Sequence, residues 1–244
     1  MESANIQLSV VAPVYNEAEG IEGIIRSWVN ILSSGTQSWE IVVTDDGSTD
    51  QTRSILERLA SEFPGFRFVG YSPNRGYGYA LKTAIYATKG DWVVTLDSDG
   101  QFDLSDSESL FKVQQQSGLD FVTGYRLRKK DSFVRVFADR TLNKMVRAMF
   151  HVPFRDTNCA MKLIRGDLAR QLNIESNGYP TPTEITIKLF VLGARSGETG
   201  VKHLERLAGQ SKLRILRTSM AMSRFLWYLR KKVKLYRAGV VKTL

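Results

Sequence analysis

The chain has 244 residues, 43% hydrophobic and 24% charged, a balance that supports a sizeable core and excludes a globally disordered chain. Its 34 lysines and arginines exceed its 25 acids, giving a formal net charge of +9 that suits anionic partners such as nucleotides, lipid phosphates or nucleic acid. A single cysteine, Cys159, excludes an internal disulfide and a cysteine-based zinc site, and no run of about 18 apolar residues marks a membrane span.

Met1 leads into the apolar stretch Ile6 to Val11 without a basic leader, so the expectation is a cytoplasmic or cytosol-facing protein. Ile6 to Pro13 reads as a buried strand. Asn16-Glu17-Ala18-Glu19 then opens a helix to about Leu32, with Asn16 as its N-cap and acids in its first turn. Ile21, Ile24, Ile25, Trp28, Val29 and Leu32 recur at helical spacing as a core-facing stripe. Glu40 to Thr44 is a second short strand. Asp45-Asp46-Gly47-Ser48-Thr49-Asp50 separates it from a helix carrying Ile55, Leu56 and Leu59. Ser48 is placed to cap that helix and Asp50 to sit in its first turn, but neither role uses Asp45 and Asp46. Adjacent carboxylates repel, and no turn requires both, so they are candidates to accept hydrogen bonds from a base or a ribose.

Phe66 to Tyr71 is a third strand. Asn74-Arg75-Gly76-Tyr77-Gly78-Tyr79-Ala80 starts a helix with Leu81, Ala84 and Ile85, closed by Gly90. Its glycines suit either a close backbone approach to an anionic ligand or a plain strand-to-helix turn. Trp92 to Leu96 is a fourth strand, and Asp97-Ser98-Asp99-Gly100-Gln101 follows it directly. Asp97, Asp99 and Gln101 put oxygen donors at alternate positions just past a strand's carboxyl end, where they would hold a divalent cation against a nucleotide diphosphate. Strand and helix alternate throughout, the pattern of a mainly parallel α/β sheet with helices on both faces. All three polar motifs then share one sheet edge, which chance turns would not do.

The second half continues with a helix from Ser105 to about Gly118 and a strand from Asp120 to Gly124. A helix from Ser132 to Phe150 follows. Arg126, Arg135 and Arg140 are placed to reach a phosphate, whereas Arg128, Lys129 and Lys130 read as a solvated run. Asp156 to Ile164 is a turn feeding a strand, and Tyr179-Pro180-Thr181-Pro182-Thr183 breaks the chain. Glu184 to Leu192 is a helix with an acid in its first turn, and Val201 to Leu207 alternates as an edge strand. His151 and His203 are the only histidines and, with no cysteine site available to join, read as structural. Leu213 to Lys242 is a basic helix whose apolar side includes Ile215, Leu216, Met222, Phe225, Leu226, Leu229, Val233 and Tyr236. It reads either as an interfacial helix on an anionic membrane or as a terminal helix docked on its own domain or on a membrane partner.

Val11-Ala12-Pro13-Val14-Tyr15-Asn16-Glu17, Asp45 to Asp50, Asn74-Arg75-Gly76, Asp97 to Gln101 and Arg206 to Lys212 occur in an order that resembles family 2 glycosyltransferases. Asp97-Ser98-Asp99-Gly100-Gln101 and Gly124-Tyr125-Arg126 resemble more narrowly the dolichyl-phosphate mannose synthase-like branch, which makes polyprenyl-phosphate sugars. The resemblance implies a nucleotide-sugar transferase type A fold, with a catalytic domain over residues 1–212 and a basic amphipathic helical segment over 213–244. It implies that Pro13, Tyr15, Glu17 and Asp46 frame the base and ribose, with Asp45, Asp97 and Ser98 also on the nucleotide side. Asp97, Asp99 and Gln101 would bind Mg²⁺ or Mn²⁺. Arg126, Arg140 and Arg206 would contact the acceptor phosphate or donor diphosphate, and Ser211-Lys212 would belong to a closing loop. Cys159-Ala160-Met161-Lys162 stands where many relatives have a glycine and an aromatic residue, a departure that bears on the sugar or acceptor pocket.

The implied reaction is inverting and metal-dependent. A sugar passes from GDP-mannose or a UDP-hexose to dolichyl or undecaprenyl phosphate, on the cytoplasmic face of a membrane. Many relatives continue into transmembrane helices, so membrane contact here is expected through the basic helix or an anchoring partner. A phosphate acceptor has a second pKa of about 6 and needs no general base. The rival is transfer to a sugar or protein hydroxyl, which does need one, with Glu184 or Asp156 as candidates. A nucleic-acid-binding protein is disfavoured, because acidic clusters line the expected ligand edge.

Overall fold

The computed structural model of the chain describes residues 6–35, 37–127, 133–205 and 215–244. Short runs, rich in β-branched residues in the first, second and fourth, form the strands β1 (Leu8–Val14), β2 (Trp39–Asp45), β3 (Phe66–Gly70), β4 (Trp92–Thr95), β5 (Phe121–Arg126), β6 (Lys162–Arg165) and β7 (Ser196–Val201). They make a seven-stranded sheet in the order β3-β2-β1-β4-β6-β5-β7. β6 runs antiparallel to both its neighbours, and every other pairing is parallel.

The helices are α1 (Ile21–Ser33), α2 (Thr52–Glu62), α3 (Tyr77–Tyr86), α4 (Ser107–Ser117), α5 (Phe133–Phe150), α6 (Gly166–Gln171), α7 (Thr181–Val191) and α8 (Ile215–Arg237). Successive strand residues point to opposite faces, and the two cores follow from that period. Val10, Ala12, Ile41 and Val43 pack with α1 and α2 on one face. Val11, Val42 and Val93 pack with α3, α5, α7 and α8 on the other. This is the expected α/β architecture with both faces covered.

α8 is seated on the second core. Met222, Leu226, Leu229 and Val233 are buried and recur at helical spacing, against a cluster that includes Leu142, Val146 and Phe150 of α5. Four such side chains contribute roughly 6–12 kcal/mol of gross burial before ordering costs. The boundary expected at residue 212 falls among residues 206–214, outside the described residues, as do Arg128, Lys129 and Lys130.

Several local expectations are corrected. α1 starts at Ile21 with Gly20 at the N-cap position. Asn16 instead has φ of 52°, a left-handed conformation asparagine tolerates, and its Oδ1 accepts from Thr49 N–H at 2.8 Å. Ser48 does not cap α2; its hydroxyl accepts from Asn16 N–H at 3.0 Å, and Gln51 holds the N-cap position. Asp50 lies before that helix rather than in its first turn, where Oδ1 accepts from Thr52 N–H at 2.9 Å. α3 ends at Tyr86, four residues before Gly90, whose N–H donates to Ser9 Oγ at 2.9 Å. α4 follows a 3₁₀ turn over Leu104–Asp106 and starts at Ser107. α7 begins at Thr181, inside the expected break, because Pro182 falls in a first turn that needs no N–H from it. The strand expected over Val201 to Leu207 is β7, which ends at Val201; residues 202–205 are not strand. α6 has no counterpart in the sequence reading.

Candidate active site

β1 runs beside β2 on one side and β4 on the other, with Val14 opposite Asp45 and Val11 opposite Thr95. The acidic motifs that follow β2 and β4 therefore flank the carboxyl end of β1. Asp46 N–H donates to Val14 O at 2.8 Å, and Ser98 Oγ donates to Pro13 O at 2.7 Å. Tyr15 and Glu17 follow β1 as half-buried residues between the two motifs. Glu17 N–H donates to Thr52 Oγ1 at 2.9 Å, tying this loop to the start of α2.

The two carboxylates at the end of β2 have different employment. Asp46 is buried, and both its oxygens are engaged. Oδ1 accepts from Tyr71 Oη at 2.8 Å and Arg75 N–H at 2.8 Å, and Oδ2 accepts from Asn74 Nδ2 at 2.7 Å and Gly76 N–H at 2.9 Å. Asp46 thus organises the turn that starts α3, and burial together with the Asp46 charge raises the Tyr71 phenol above its ordinary range. Asp45 is fully buried; its Oδ1 accepts from Ser48 N–H at 2.9 Å. Its Oδ2, with Thr44 Oγ1, is a buried atom without a hydrogen-bond partner among the described residues. Leaving such an oxygen unmatched costs about 1–3 kcal/mol.

The glycines at the start of α3 make room for protein rather than for a ligand. A Cβ on Gly78 would overlap the Ser176 carbonyl, and one on Gly76, whose φ is +94°, would lie 2.7 Å from Asn177 Oδ1. The N–H groups of this turn meet the Asp46 carboxylate and Asn177, as the plain-turn alternative has it.

After β4, Asp97 Oδ1 accepts from Tyr77 Oη at 2.8 Å, and Asp99 Oδ1 accepts from Gln101 N–H at 3.0 Å. Burial and the Asp97 charge hold the Tyr77 phenol well above its ordinary range, so it stays a donor to the carboxylate. Gln101 pairs with the chain leading to residue 206. Leu204 N–H donates to Gln101 O at 2.9 Å, and Gln101 Nε2 reaches Leu204 O at 3.5 Å. Among the described residues no three His, Cys, Asp or Glu are grouped to hold a metal. A cation here would rest on Asp97 and Asp99 with the Gln101 amide oxygen. That all-oxygen set fits Mg²⁺ or Mn²⁺.

The expected phosphate contacts fare differently. Arg126, at the end of β5, is largely buried and held by two carboxylates. Nε donates to Asp156 Oδ2 at 2.7 Å, and one terminal nitrogen donates to Asp139 Oδ2 at 2.8 Å and Asp156 Oδ1 at 3.0 Å. Burial opposes its charge, but the Asp156 charge and hydrogen bonds outweigh burial, and the guanidinium is held more firmly protonated than usual. Arg140 lies exposed on α5, next to Asp139. Arg206, Ser211 and Lys212 lie outside the described residues, as does the Arg135 side chain.

Both candidate general bases are committed elsewhere. Asp156 pairs with Arg126. Glu184 is fully buried in α7, where it accepts from Glu175 N–H at 2.9 Å and Ser176 N–H at 2.8 Å and pairs with Lys188 Nζ at 2.7 Å. His203 is buried edge-on against Phe102, with ring centroids 5.5 Å apart.

Four residues the sequence reading gave no role support this architecture. Tyr71 and Tyr77 hold Asp46 and Asp97, Asp139 shares Arg126, and Lys162 is buried under the edge. Lys162 Nζ donates to Thr186 Oγ1 at 2.8 Å, Thr123 Oγ1 at 3.0 Å and Thr157 O at 3.3 Å. The tyrosines lie in or beside the Asn74 motif, but Asp139 and Lys162 carry no local signal.

Residues 9–170 match the pattern of Glycosyl transferase family 2. The chain is 32% identical over 212 residues to an undecaprenyl-phosphate 4-deoxy-4-formamido-L-arabinose transferase of Edwardsiella ictaluri, covering 86% of this chain and 64% of that protein. It is 28% identical over 220 residues to a dodecaprenyl-phosphate galacturonate synthase of Rhizobium johnstonii, covering 88% of this chain and 64% of that protein. The chain thus spans somewhat less than two thirds of the length of these curated relatives. In fold it is similar to mannosyl-3-phosphoglycerate synthase from Rubrobacter xylanophilus, with a TM-score of 0.72 at 22% identity, over 98% of this chain and 77% of that one. It is also similar to glucosyl-3-phosphoglycerate synthase from Mycobacterium tuberculosis in complex with Mn²⁺, UDP-glucose and phosphoglyceric acid, with a TM-score of 0.68 at 24% identity, over 98% of this chain and 81% of that one. The mainly parallel sheet, the acidic motifs flanking β1 and the match over residues 9–170 place the chain in glycosyl transferase family 2.

Proposed function

We propose that this protein transfers a sugar from a nucleotide-diphosphate donor to a polyprenyl phosphate. The observation that carries the reading is the convergence of Asp45-Asp46 and Asp97-Ser98-Asp99-Gly100-Gln101 on the carboxyl end of β1. The names of the relatives from Edwardsiella and Rhizobium, both polyprenyl-phosphate sugar enzymes, support the acceptor class. GDP-mannose and UDP-hexoses are the donors to test first.

Asp45, fully buried at the carboxyl end of β2, is assigned to the nucleotide side of the site as a supporting carboxylate. Asp46 acts on the nucleotide end indirectly, by setting the turn over residues 74–76, and Pro13, Tyr15, Glu17 and Ser98 line the same end. Asp97, Asp99 and Gln101 would hold Mg²⁺ or Mn²⁺, which supplies neutralising charge for the departing diphosphate. The acceptor phosphate is already anionic near neutral pH, so the chain's task is to bring two anions together. Arg140 is exposed for that role, with Arg206 as its partner in the proposal. Arg126 stiffens the acceptor side through Asp139 and Asp156. Direct attack inverts the anomeric centre.

The commitment of Glu184 and Asp156 to ion pairs favours this reading over transfer to a hydroxyl, which requires a base within reach. No helix among the described residues is long and apolar enough to cross a membrane. We assign contact with the lipid-bearing surface to α8, or to an anchoring partner, on the cytoplasmic face; nucleic acid is not a partner in this reading. Purified protein offered a panel of nucleotide sugars, with polyprenyl phosphate and soluble sugars in competition, tests the proposal. Lipid-linked product is expected. Transfer confined to soluble hydroxyls would overturn it.

A further inference from the structure

Glu175 and Asn177 lie between α6 and α7, away from the acidic motifs, yet they join α8 to the nucleotide end of the site. α3 has Gly76 at its N-cap, so it has no capping side chain of its own. Asn177 caps it from 98 residues away, as its Oδ1 accepts from Tyr79 N–H at 3.2 Å. Asn177 Nδ2 also donates to Arg75 O. The side chain therefore clasps the turn whose Arg75 and Gly76 N–H groups bind Asp46 at 2.8 and 2.9 Å.

Two residues earlier, Glu175 ties the same segment to α8. Its Oε1 accepts from Tyr228 Oη at 3.0 Å, and its Oε2 accepts from Lys232 Nζ at 2.7 Å and Lys188 Nζ at 2.7 Å. Lys188 also pairs with Glu184, which holds the backbone of Glu175 and Ser176. Hydrogen bonds at both ends of the short backbone segment 175–177 thus connect the basic helix, through Glu175 and Asn177 and the turn over residues 74–76, to Asp46.

We propose that Glu175 and Asn177 are positioning residues for the nucleotide donor, and that they make donor affinity depend on α8 being seated. The inference rests on the donor-site reading above. α8 carries the exposed Trp227 and a row of cations, so any surface that loads this helix acts on a path ending at the donor turn. Charge-assisted bonds at Glu175 and a two-point clasp at Asn177 are joints of the kind that transmit such coupling.

The test uses the full chain as wild type, Asn177→Ala, the pair Tyr228→Phe with Lys232→Met, and all three changes combined. Binding of UDP and GDP with Mg²⁺ is measured by calorimetry, and steady-state constants with nucleotide sugar and polyprenyl phosphate. Donor KM and nucleotide Kd are expected to rise roughly three- to tenfold in Asn177→Ala and by a smaller factor in the α8 pair. kcat and acceptor KM are expected to stay within about twofold, a split that general loosening of the fold would not produce. The combined variant is expected to be no worse than Asn177→Ala alone, since both changes act along one path. Unchanged donor constants in either variant, multiplying effects, or a parallel fall in kcat and acceptor affinity would each overturn the inference. A wild-type chain that binds neither nucleotide overturns the functional reading itself, whereas wild-type binding with unmoved variants overturns only this step.

Discussion

The Tyr77 hydroxyl donates to Asp97 Oδ1 at 2.8 Å, so a residue of α3 fixes the orientation of the first carboxylate after β4. Partners behind a metal ligand typically matter tenfold to hundredfold in metal affinity, and Tyr77→Phe is expected to cost about tenfold. Activity titrated with Mg²⁺ and Mn²⁺ checks this, with thermal unfolding as the control for the fold. An unchanged metal midpoint in a folded Tyr77→Phe variant would remove Tyr77 from the site.

Lys162 gives the fold a pH signature. Burial, aided by the nearby Arg126, pushes its ammonium down to about 8 from an ordinary 10.5, against the opposing pull of Cys159 and Asp156. Below about pH 8 both folded and unfolded chains hold the proton, and the cost of burying the charge is fully present. Between about 8 and 10.5 the unfolded chain holds more protons than the folded one, so this residue's contribution to stability rises with pH. The gain is on the order of 3 kcal/mol across that window. Chemical unfolding of wild type and Lys162→Met at the two ends of the window checks it. The difference between the proteins should move in favour of wild type as pH rises; parallel curves would contradict the account.

Glu184 is expected to behave as a structural acid. In Glu184→Gln the amide NH2 is turned toward one of two backbone N–H donors and Lys188 loses one of its two counter-charges, which should destabilise the fold by about 3 kcal/mol. Choice of acceptor should not change. A variant of wild-type stability that has lost only turnover would restore Glu184 as a base.

The outward side of α8 provides a separate test of membrane contact. Trp227, Arg230, Lys231 and Lys234 line a depression on a helix whose opposite face is already buried. Each cation near an anionic bilayer is worth about 1 kcal/mol, so reversing Arg230, Lys231 and Lys234 to glutamate should abolish salt-sensitive binding to anionic vesicles. Equal binding of both proteins, or none by wild type to anionic vesicles, would transfer anchoring to a partner protein.

The legible features were those written in neighbouring residues. Val10-Val11-Ala12 and Ile41-Val42-Val43 announce strands buried on both faces, and the acids that follow them locate the ligand edge without any distant information. Long-range geometry was not legible. β6 enters the sheet antiparallel between β4 and β5, although sequence order suggests no insertion. β7 has no local strand signal, because Ser196-Gly197-Glu198-Thr199-Gly200 has neither alternation nor β-branched density, and its pairing with β5 holds it instead. The glycines of the Asn74 motif are compatible with an anion cradle or a plain turn, and a segment about a hundred residues later fills the space beside them. Arg126 looked free for a phosphate only because Asp139 and Asp156 approach it through folding.

The most direct test of the account is formation of lipid-linked sugar by the purified chain, followed as label entering the organic phase from a nucleotide sugar with polyprenyl phosphate. Wild type should form product only with Mg²⁺ or Mn²⁺, and Asp99→Asn should fold normally and form almost none. Full lipid-linked product from Asp99→Asn, or undiminished product in excess chelator, would contradict the assignment of Asp97, Asp99 and Gln101 as the centre of the site.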